Sequence, residues 1–147
     1  MLSRRLFVGV AAAALVAACD NMGMQQQAAS TKETYEAHLS GANSVPRNNS
    51  NGEGDAKMTL DTATRTLTWK ITYKGLSGPA TMAHFHGPAA PGTNAGVAVP
   101  ITVAPNTMEG SAVLTPQQME DLQAGRYYIN IHTQQFPGGE IRGQVML

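Results

Sequence analysis

The sequence predicts an all-β fold, a Greek-key or immunoglobulin-like β-sandwich of about eight short strands with one short helix inserted before the penultimate hairpin. Three observations favour this fold class. Apolar and polar residues alternate over short runs, clusters of Gly, Pro and Asn separate those runs, and a single segment has the start and stop signals of a helix. The length suits one domain with a hydrophobic core of its own.

The first 18 residues are typical of an export signal. Arg4 and Arg5 precede an apolar run over residues 6–18 that ends in small residues. The run is shorter than the roughly 20 residues that a membrane-spanning helix needs. The paired arginines also fit the twin-arginine route, which exports folded proteins, so the sequence leaves two export routes open.

The sole cysteine, Cys19, is expected to carry lipid. It follows Val16-Ala17-Ala18, and this segment resembles the lipobox at which bacterial lipoproteins are diacylated and cleaved. Two acyl chains suffice for stable anchoring. Asp20 resembles an inner-membrane retention signal, so the predicted location is the bacterial cell envelope, lipid-anchored and facing the periplasm. Residues 19–33, rich in Met, Gln and Ala, predict a flexible tether, which leaves residues 34–147 as the domain.

The net charge argues against nucleic acid as a partner, and the cysteine count excludes a disulfide within the chain. Once Arg4 and Arg5 are removed with the signal, eight basic and ten acidic residues remain, which gives a net charge of −2. No basic patch is present, which argues against nucleic acid as a partner. The expected partners are the lipid bilayer, through Cys19, and a protein of the cell envelope. One cysteine cannot form a disulfide within the chain.

The strands are assigned from alternation of apolar and polar residues. The clearest run is Leu67–Tyr73, where Trp69, the sole tryptophan, is expected in the core. Pro100 predicts an edge strand or a bulge in the run over residues 97–103. The other predicted strands cover residues 34–39, 55–61, 81–87, 109–114, 126–133 and 140–146.

One helix is predicted from Pro116 to about residue 124. Thr115 and Gln118 form a capping box, and proline suits the first helical position. Gly125 supplies the left-handed residue that ends a helix.

Three of the four histidines fall on the polar faces of two predicted strands. Period two places Met82, His84 and His86 on one face of the first strand. In the second strand the same rule groups Tyr128, Asn130 and His132. If the two strands are neighbours, the three imidazoles converge on the side of the sheet opposite the core, where one metal ion is within reach of all of them.

The residue types predict copper or a similar transition metal. Three neutral imidazoles suit Cu(II), and His38 or Met82 would be the fourth ligand. A thioether from Met82 would favour Cu(I). The alternative is that the histidines bond to backbone or loop groups and stiffen a non-catalytic adhesion or protein-interaction module, which would bind its partner through exposed edge strands.

Two further residues are candidates to contact the ligand histidines and hold them in position without binding the metal themselves. Tyr128 shares the polar face of His132, and Glu140 follows the turn Pro137-Gly138-Gly139. A salt bridge from Glu140 to Arg142 is the alternative role. The glycine- and proline-rich loop over residues 87–96 is expected to lie beside His84 and His86. No nucleophile arrangement is legible, so the protein is not expected to be an enzyme.

Four motifs with specific spacing are Gly75–Pro79, Ala83–Ala89, Leu122–Thr133 and Phe136–Gln144. Together they resemble the CHRD domain, a family named after the animal protein chordin and found in bacterial exported proteins. The resemblance covers nearly all of residues 34–147. It implies an extracytoplasmic β-sandwich and no settled biochemical activity.

A Gly-Leu turn precedes the His-x-His strand, and a late glycine-rich segment contains Arg142. These features are more distantly similar to copper/zinc superoxide dismutase. The similarity implies that His84 and His86 are a ligand pair that His132 or His38 would complete. No histidine-and-aspartate zinc loop and no cysteine pair accompany it, so metal binding is predicted without dismutase activity.

Overall fold

Eight antiparallel strands form one nearly closed sheet in the computed structural model, which describes residues 30–147. The strand order is β5-β4-β7-β8-β1-β2-β3-β6. The strands are β1 (Lys32–Ser40), β2 (Glu53–Asp61), β3 (Thr66–Lys74), β4 (Ala80–His86), β5 (Val97–Ile101), β6 (Thr107–Val113), β7 (Tyr128–Thr133) and β8 (Ile141–Gln144). A short 3-10 turn, Gly41–Asn43, follows β1, and the single helix α1 spans Pro116–Gln123. The predicted all-β class and the one helix are confirmed.

The structure does not reach the N-terminal features predicted from the sequence. The signal segment, Cys19 and most of the tether lie outside the described residues. β1 begins at Lys32, two residues before the predicted start of the domain. Within residues 30–147, no helix is both long and apolar enough to span a bilayer.

The core lies on the concave side of the curled sheet. Alternate residues of each strand point into it, as the period-two pattern requires. Trp69 is 5% exposed and packs edge-on against Phe85, with ring centroids 5.2 Å apart. Trp69 is therefore the core residue that the sequence predicted.

The sheet ends and the helix also follow the sequence signals. Pro100 lies in β5, the strand at one end of the sheet, and the pairing of β4 with β5 shifts register between Phe85 and His86. Pro100 therefore lies on an edge strand, the first of the two predicted alternatives, and the register shift lies a little further along β5, opposite His86. At α1, the Thr115 hydroxyl accepts a hydrogen bond from the Gln118 amide at 3.1 Å, and the Gln118 side chain accepts one from the Thr115 amide at 2.9 Å. The predicted capping box is confirmed.

Candidate metal centre

The histidine strands are direct neighbours in the sheet. In the antiparallel pairing of β4 with β7, Met82 lies opposite His132, His84 opposite Asn130 and His86 opposite Tyr128. Directly opposed residues hold their Cβ atoms about 4.5–5.5 Å apart. The predicted convergence of three imidazoles on one side of the sheet is confirmed.

The three imidazoles form a compact cluster. One nitrogen from each of His84, His86 and His132 lies within 4.8 Å of the other two. The Nδ1 atom of His84 is 3.4 Å from Nε2 of His132. Since an imidazole nitrogen binds zinc-like ions at about 2.0–2.1 Å, two ligands of one ion stand at most about 4 Å apart. The His84–His132 pair already meets that spacing, and His86 needs a shift of less than about 1 Å to join it.

The cluster faces away from the core, but it is not on an open surface. His86 is 8% exposed and His132 6%, while His84 is half-buried. The carbonyl of Ala95, in the loop over residues 87–96, accepts a hydrogen bond from Nδ1 of His86 at 3.0 Å. The carbonyl of Pro137 accepts one from Nδ1 of His132 at 2.9 Å. The rings lie on the side of the sheet opposite the core, as predicted, but His86 and His132 are buried there because the loops that leave β4 and β7 fold back over them.

These hydrogen bonds determine which ring nitrogen of His86 and of His132 has a lone pair available to bind a metal ion. A carbonyl oxygen only accepts, so Nδ1 of His86 and of His132 carries the hydrogen and the lone pair lies on Nε2. Within the described part of the chain, Nε2 of His86 is buried and has no hydrogen-bond partner. A buried acceptor without a partner costs about 1–3 kcal/mol. A metal ion would satisfy that nitrogen, and carbonyls behind ligand histidines are a common support of metal sites.

The surroundings favour the neutral form of His84 and His86. Burial lowers the pKa of His84, and the neighbouring His132 and His86 lower it further. Burial is also the main cause that lowers the pKa of His86, against hydrogen bonds to backbone carbonyls that raise it. A neutral imidazole is the form that binds a metal ion.

Tyr128 supports His86 from behind. Its ring stacks on the His86 imidazole with centroids 4.9 Å apart and planes 4° from parallel. Its hydroxyl accepts a hydrogen bond from the Ala95 amide at 3.0 Å and donates to the Ala95 carbonyl at 3.2 Å. Tyr128 thus holds both the ring of His86 and the loop residue to which that ring is bonded.

Replacing Tyr128 with phenylalanine tests this support. The Tyr128→Phe variant keeps the stack on His86 and loses the bonds to Ala95, so we expect metal affinity to fall about 10-fold. We expect the free energy of unfolding to fall by about 1 kcal/mol. Chelator competition and urea denaturation measure the two effects. An unchanged affinity would show that the hydroxyl does not orient the site.

Glu140 does not occupy the position that the sequence suggested. The residue is fully buried, and its carboxylate accepts hydrogen bonds from the Ser50 hydroxyl at 2.6 Å and the Thr133 hydroxyl at 2.6 Å. Ser77 donates both its amide, at 2.8 Å, and its hydroxyl, at 2.7 Å. The expected salt bridge to Arg142 is wrong, because these four donors already surround the carboxylate. Glu140 supports the cluster only indirectly, through Thr133, the residue next to His132.

The two candidates for a fourth ligand lie in different places. His38, on β1, pairs with Asp55 at 3.0 Å and is well exposed. Because β8 lies between β1 and β7, His38 is two strands, or roughly 10 Å, from the strand of His132. The expectation of His38 as a fourth ligand is therefore wrong. Met82 is 46% exposed and directly opposes His132, so it remains within reach of the cluster.

Sequence reasoning missed the groups that bond to the rings and those that bond to the nearby Glu140. Two of them, the carbonyls of Ala95 and Pro137, are backbone atoms and leave no signal in residue type. The others, Ser50 and Ser77, come from distant loops that meet at Glu140. Their turn-rich surroundings marked them as loop residues and gave no indication of where those loops would dock.

Comparison with known proteins agrees with this picture of the domain. The family model described as CHRD domain matches residues 35–145, a range that includes all three clustered histidines. No curated protein and no solved structure matches the chain.

Proposed function

This chain belongs to the CHRD domain family, and we propose that it is a lipid-anchored protein of the bacterial cell envelope that binds copper or a similar transition metal through His84, His86 and His132. Two observations carry the metal proposal: Nε2 of His86 is buried without a hydrogen-bond partner among the described residues, and one ring nitrogen each of His84, His86 and His132 lies within 4.8 Å of the other two.

The donor set favours copper over other common ions. The clustered ligands are neutral imidazoles, with no carboxylate or thiolate among them in residues 30–147. Imidazoles suit Cu(II) and Zn(II), and copper binds most tightly among first-row divalent ions. The thioether of Met82, opposite His132, adds a soft donor that would favour Cu(I).

Metal titration of the purified protein tests the proposal. Competition with chromophoric chelators is run for Cu(II), for Cu(I) under reducing conditions and for Zn(II). We expect one copper ion per chain, bound more tightly than micromolar and more tightly than zinc. Binding should be lost when His84 and His86 are both replaced with alanine. Copper affinity that survives this double replacement would contradict the proposal.

The pH dependence follows from competition between protons and metal for the same nitrogens. The pKa values of His84 and His86 lie below the ordinary histidine value of 6.5. We therefore expect copper affinity to change little between pH 7.5 and 6.5 and to fall at lower pH, where the rings take up protons. Repeating the titration in steps of pH measures this. A steep loss of affinity that is complete above pH 6.5 would contradict the lowered pKa values of His84 and His86.

The anchoring part of the proposal is supported by the sequence around Cys19. We expect the protein to sediment with membranes and the Cys19→Ala variant to be found in the soluble fraction. Met22→Ala, in the same predicted tether, is the matched control and should stay with the membranes. Membrane association of Cys19→Ala equal to that of the unchanged protein would exclude lipid on this cysteine.

A second candidate function is a protein-interaction module with structural histidines. The bonds of His86 and His132 to loop carbonyls favour it, as do the exposed Val97 and Val113 on edge strands β5 and β6. In-cell cross-linking to an envelope partner distinguishes the two. If copper binding is absent and the His84→Ala/His86→Ala variant still forms the same complex, the interaction module is the better account.

A further inference from the structure

Arg142 is a buried cation without an acidic partner in the described chain. It lies on β8 and is 2% exposed, yet none of the ion pairs within residues 30–147 includes it. Its guanidinium donates to the Asn94 side-chain oxygen at 3.0 Å and to the Thr93 carbonyl at 2.7 Å. Both acceptors are neutral. A buried charge is costly unless it is paired, so its positive charge lacks the compensation that buried ions usually have.

The guanidinium also has unused hydrogen-bonding capacity. It carries five N–H donors in a planar fork, and two hydrogen bonds to residues 30–147 are accounted for. Its flat face rests on the Tyr128 ring, with Cζ 3.6 Å from the ring centroid. Stacking covers one face, and Nη1 and Nη2 each already donate one hydrogen bond, so the N–H groups that remain to bind a ligand lie along the edge of the guanidinium. A planar fork matches the paired oxygens of a carboxylate or a phosphate.

A cavity of about 310 Å³ lies beside Arg142. One wall is the segment that follows β1, from Ala42 to Val45, and the other is formed by Pro91 and Gly92 of the loop over residues 87–96. The Asn94 side chain ties the two walls together by donating to the Val45 carbonyl at 3.0 Å. The cavity is thus preformed between two segments that a hydrogen bond joins, and Arg142 is part of its lining.

We propose that this cavity binds a small oxyanion of the carboxylate or phosphate type, paired with the guanidinium of Arg142. The site is separate from the histidine cluster. His86 and Arg142 both stack on Tyr128, and two groups at those distances must occupy opposite faces of the ring. The proposal therefore stands or falls independently of metal binding.

Anion binding to the metal-free protein tests the proposal. Calorimetric titration and thermal denaturation are carried out with phosphate and with acetate at constant ionic strength, up to about 10 mM, a range that detects a millimolar dissociation constant. We expect saturable binding and a rise in Tm with at least one of the two anions. Phosphate alone or acetate alone would identify the source of the oxyanion. No saturable binding of either would overturn the proposal.

A substitution at the cavity rim provides the specific control. Ala42 is exposed and lines the cavity, so Ala42→Glu would place a tethered carboxylate within reach of Arg142 without altering the arginine. We expect Ala42→Glu to weaken anion binding at least 10-fold, whereas Ala42→Gln, of the same size and uncharged, should retain it. Arg142→Gln should abolish binding, and the Ala42 pair remains informative if that variant does not fold. Equal anion binding by Ala42→Glu and Ala42→Gln would overturn the assignment to this cavity.

Discussion

Replacing His84 with alanine is expected to weaken copper binding by at least about 100-fold. Even the groups behind a ligand change metal affinity 10- to 100-fold when mutated, and His84 would be a ligand itself. Its loss should cost the fold little, because the ring is half-buried and its one hydrogen bond within residues 30–147 is the 3.4 Å contact with His132. We expect the free energy of unfolding to change by less than about 1 kcal/mol. Chelator competition and urea denaturation on the same samples separate the two effects.

His38→Ala is the matched control for this experiment. It removes a histidine whose partner is Asp55 on the exposed side of the sheet, away from the cluster. We expect its copper affinity to equal that of the unchanged protein. If His38→Ala lost as much affinity as His84→Ala, copper would be bound at scattered surface histidines and not at the cluster. Unchanged affinity in His84→Ala would remove this residue from the ligand set.

Replacing Glu140 with glutamine is expected to lower the free energy of unfolding by about 2–4 kcal/mol at neutral pH. The variant keeps the size of the side chain and loses the charge that four donors from Ser50, Ser77 and Thr133 are arranged to meet. Hydrogen bonds to charged groups contribute about 1.5–3 kcal/mol, and a glutamine NH₂ group pointing at donors leaves some of them unpaired. Urea denaturation measures the loss. Thr59→Ser, on the outer face of β2, is a control expected to stay within about 0.5 kcal/mol.

The effect of Glu140 should depend on pH in a defined direction. Burial alone would raise the pKa of this carboxyl, but the hydrogen bonds from Ser50, Thr133 and Ser77 outweigh burial and hold the pKa below its ordinary value of 4.5. A group with a lowered pKa stabilises the fold above its unfolded pKa, and that stabilisation is lost as pH falls through the folded pKa. The difference between the unchanged protein and Glu140→Gln should therefore be full at pH 7 and shrink below about pH 4. A difference that grew in acid would contradict this account of the carboxylate.

Much of the fold could be predicted because it depends on local patterns. The alternation around Trp69 places it in the core whatever the strand order, and the capping box at Thr115 needs only residues of its own segment. The same period places His84 and His86 on one side of β4. These features follow from side-chain direction along a strand or helix, which adjacent residues determine.

The rest of the site depends on which distant segments meet. The lateral order of the strands cannot be predicted from alternation alone, so the sequence leaves His38 as a candidate ligand, whereas in the structure β8 separates β1 from β7. Glu140, the acidic partner expected for Arg142, instead accepts hydrogen bonds from Ser50 and Ser77, which lie 90 and 63 residues before Glu140 in the chain. The loop over His86 is held by a hydrogen bond to the backbone carbonyl of Ala95. Because every residue has such a carbonyl, the sequence does not show which one will be used.

The central claim is that three imidazoles bind one metal ion, and X-ray absorption at the copper edge of the one-to-one complex tests it most directly. We predict about three imidazole nitrogens at about 2 Å from copper, and one fewer in the His84→Ala variant. A spectrum of copper with mainly water or backbone oxygen ligands, unchanged by that substitution, would contradict the claim.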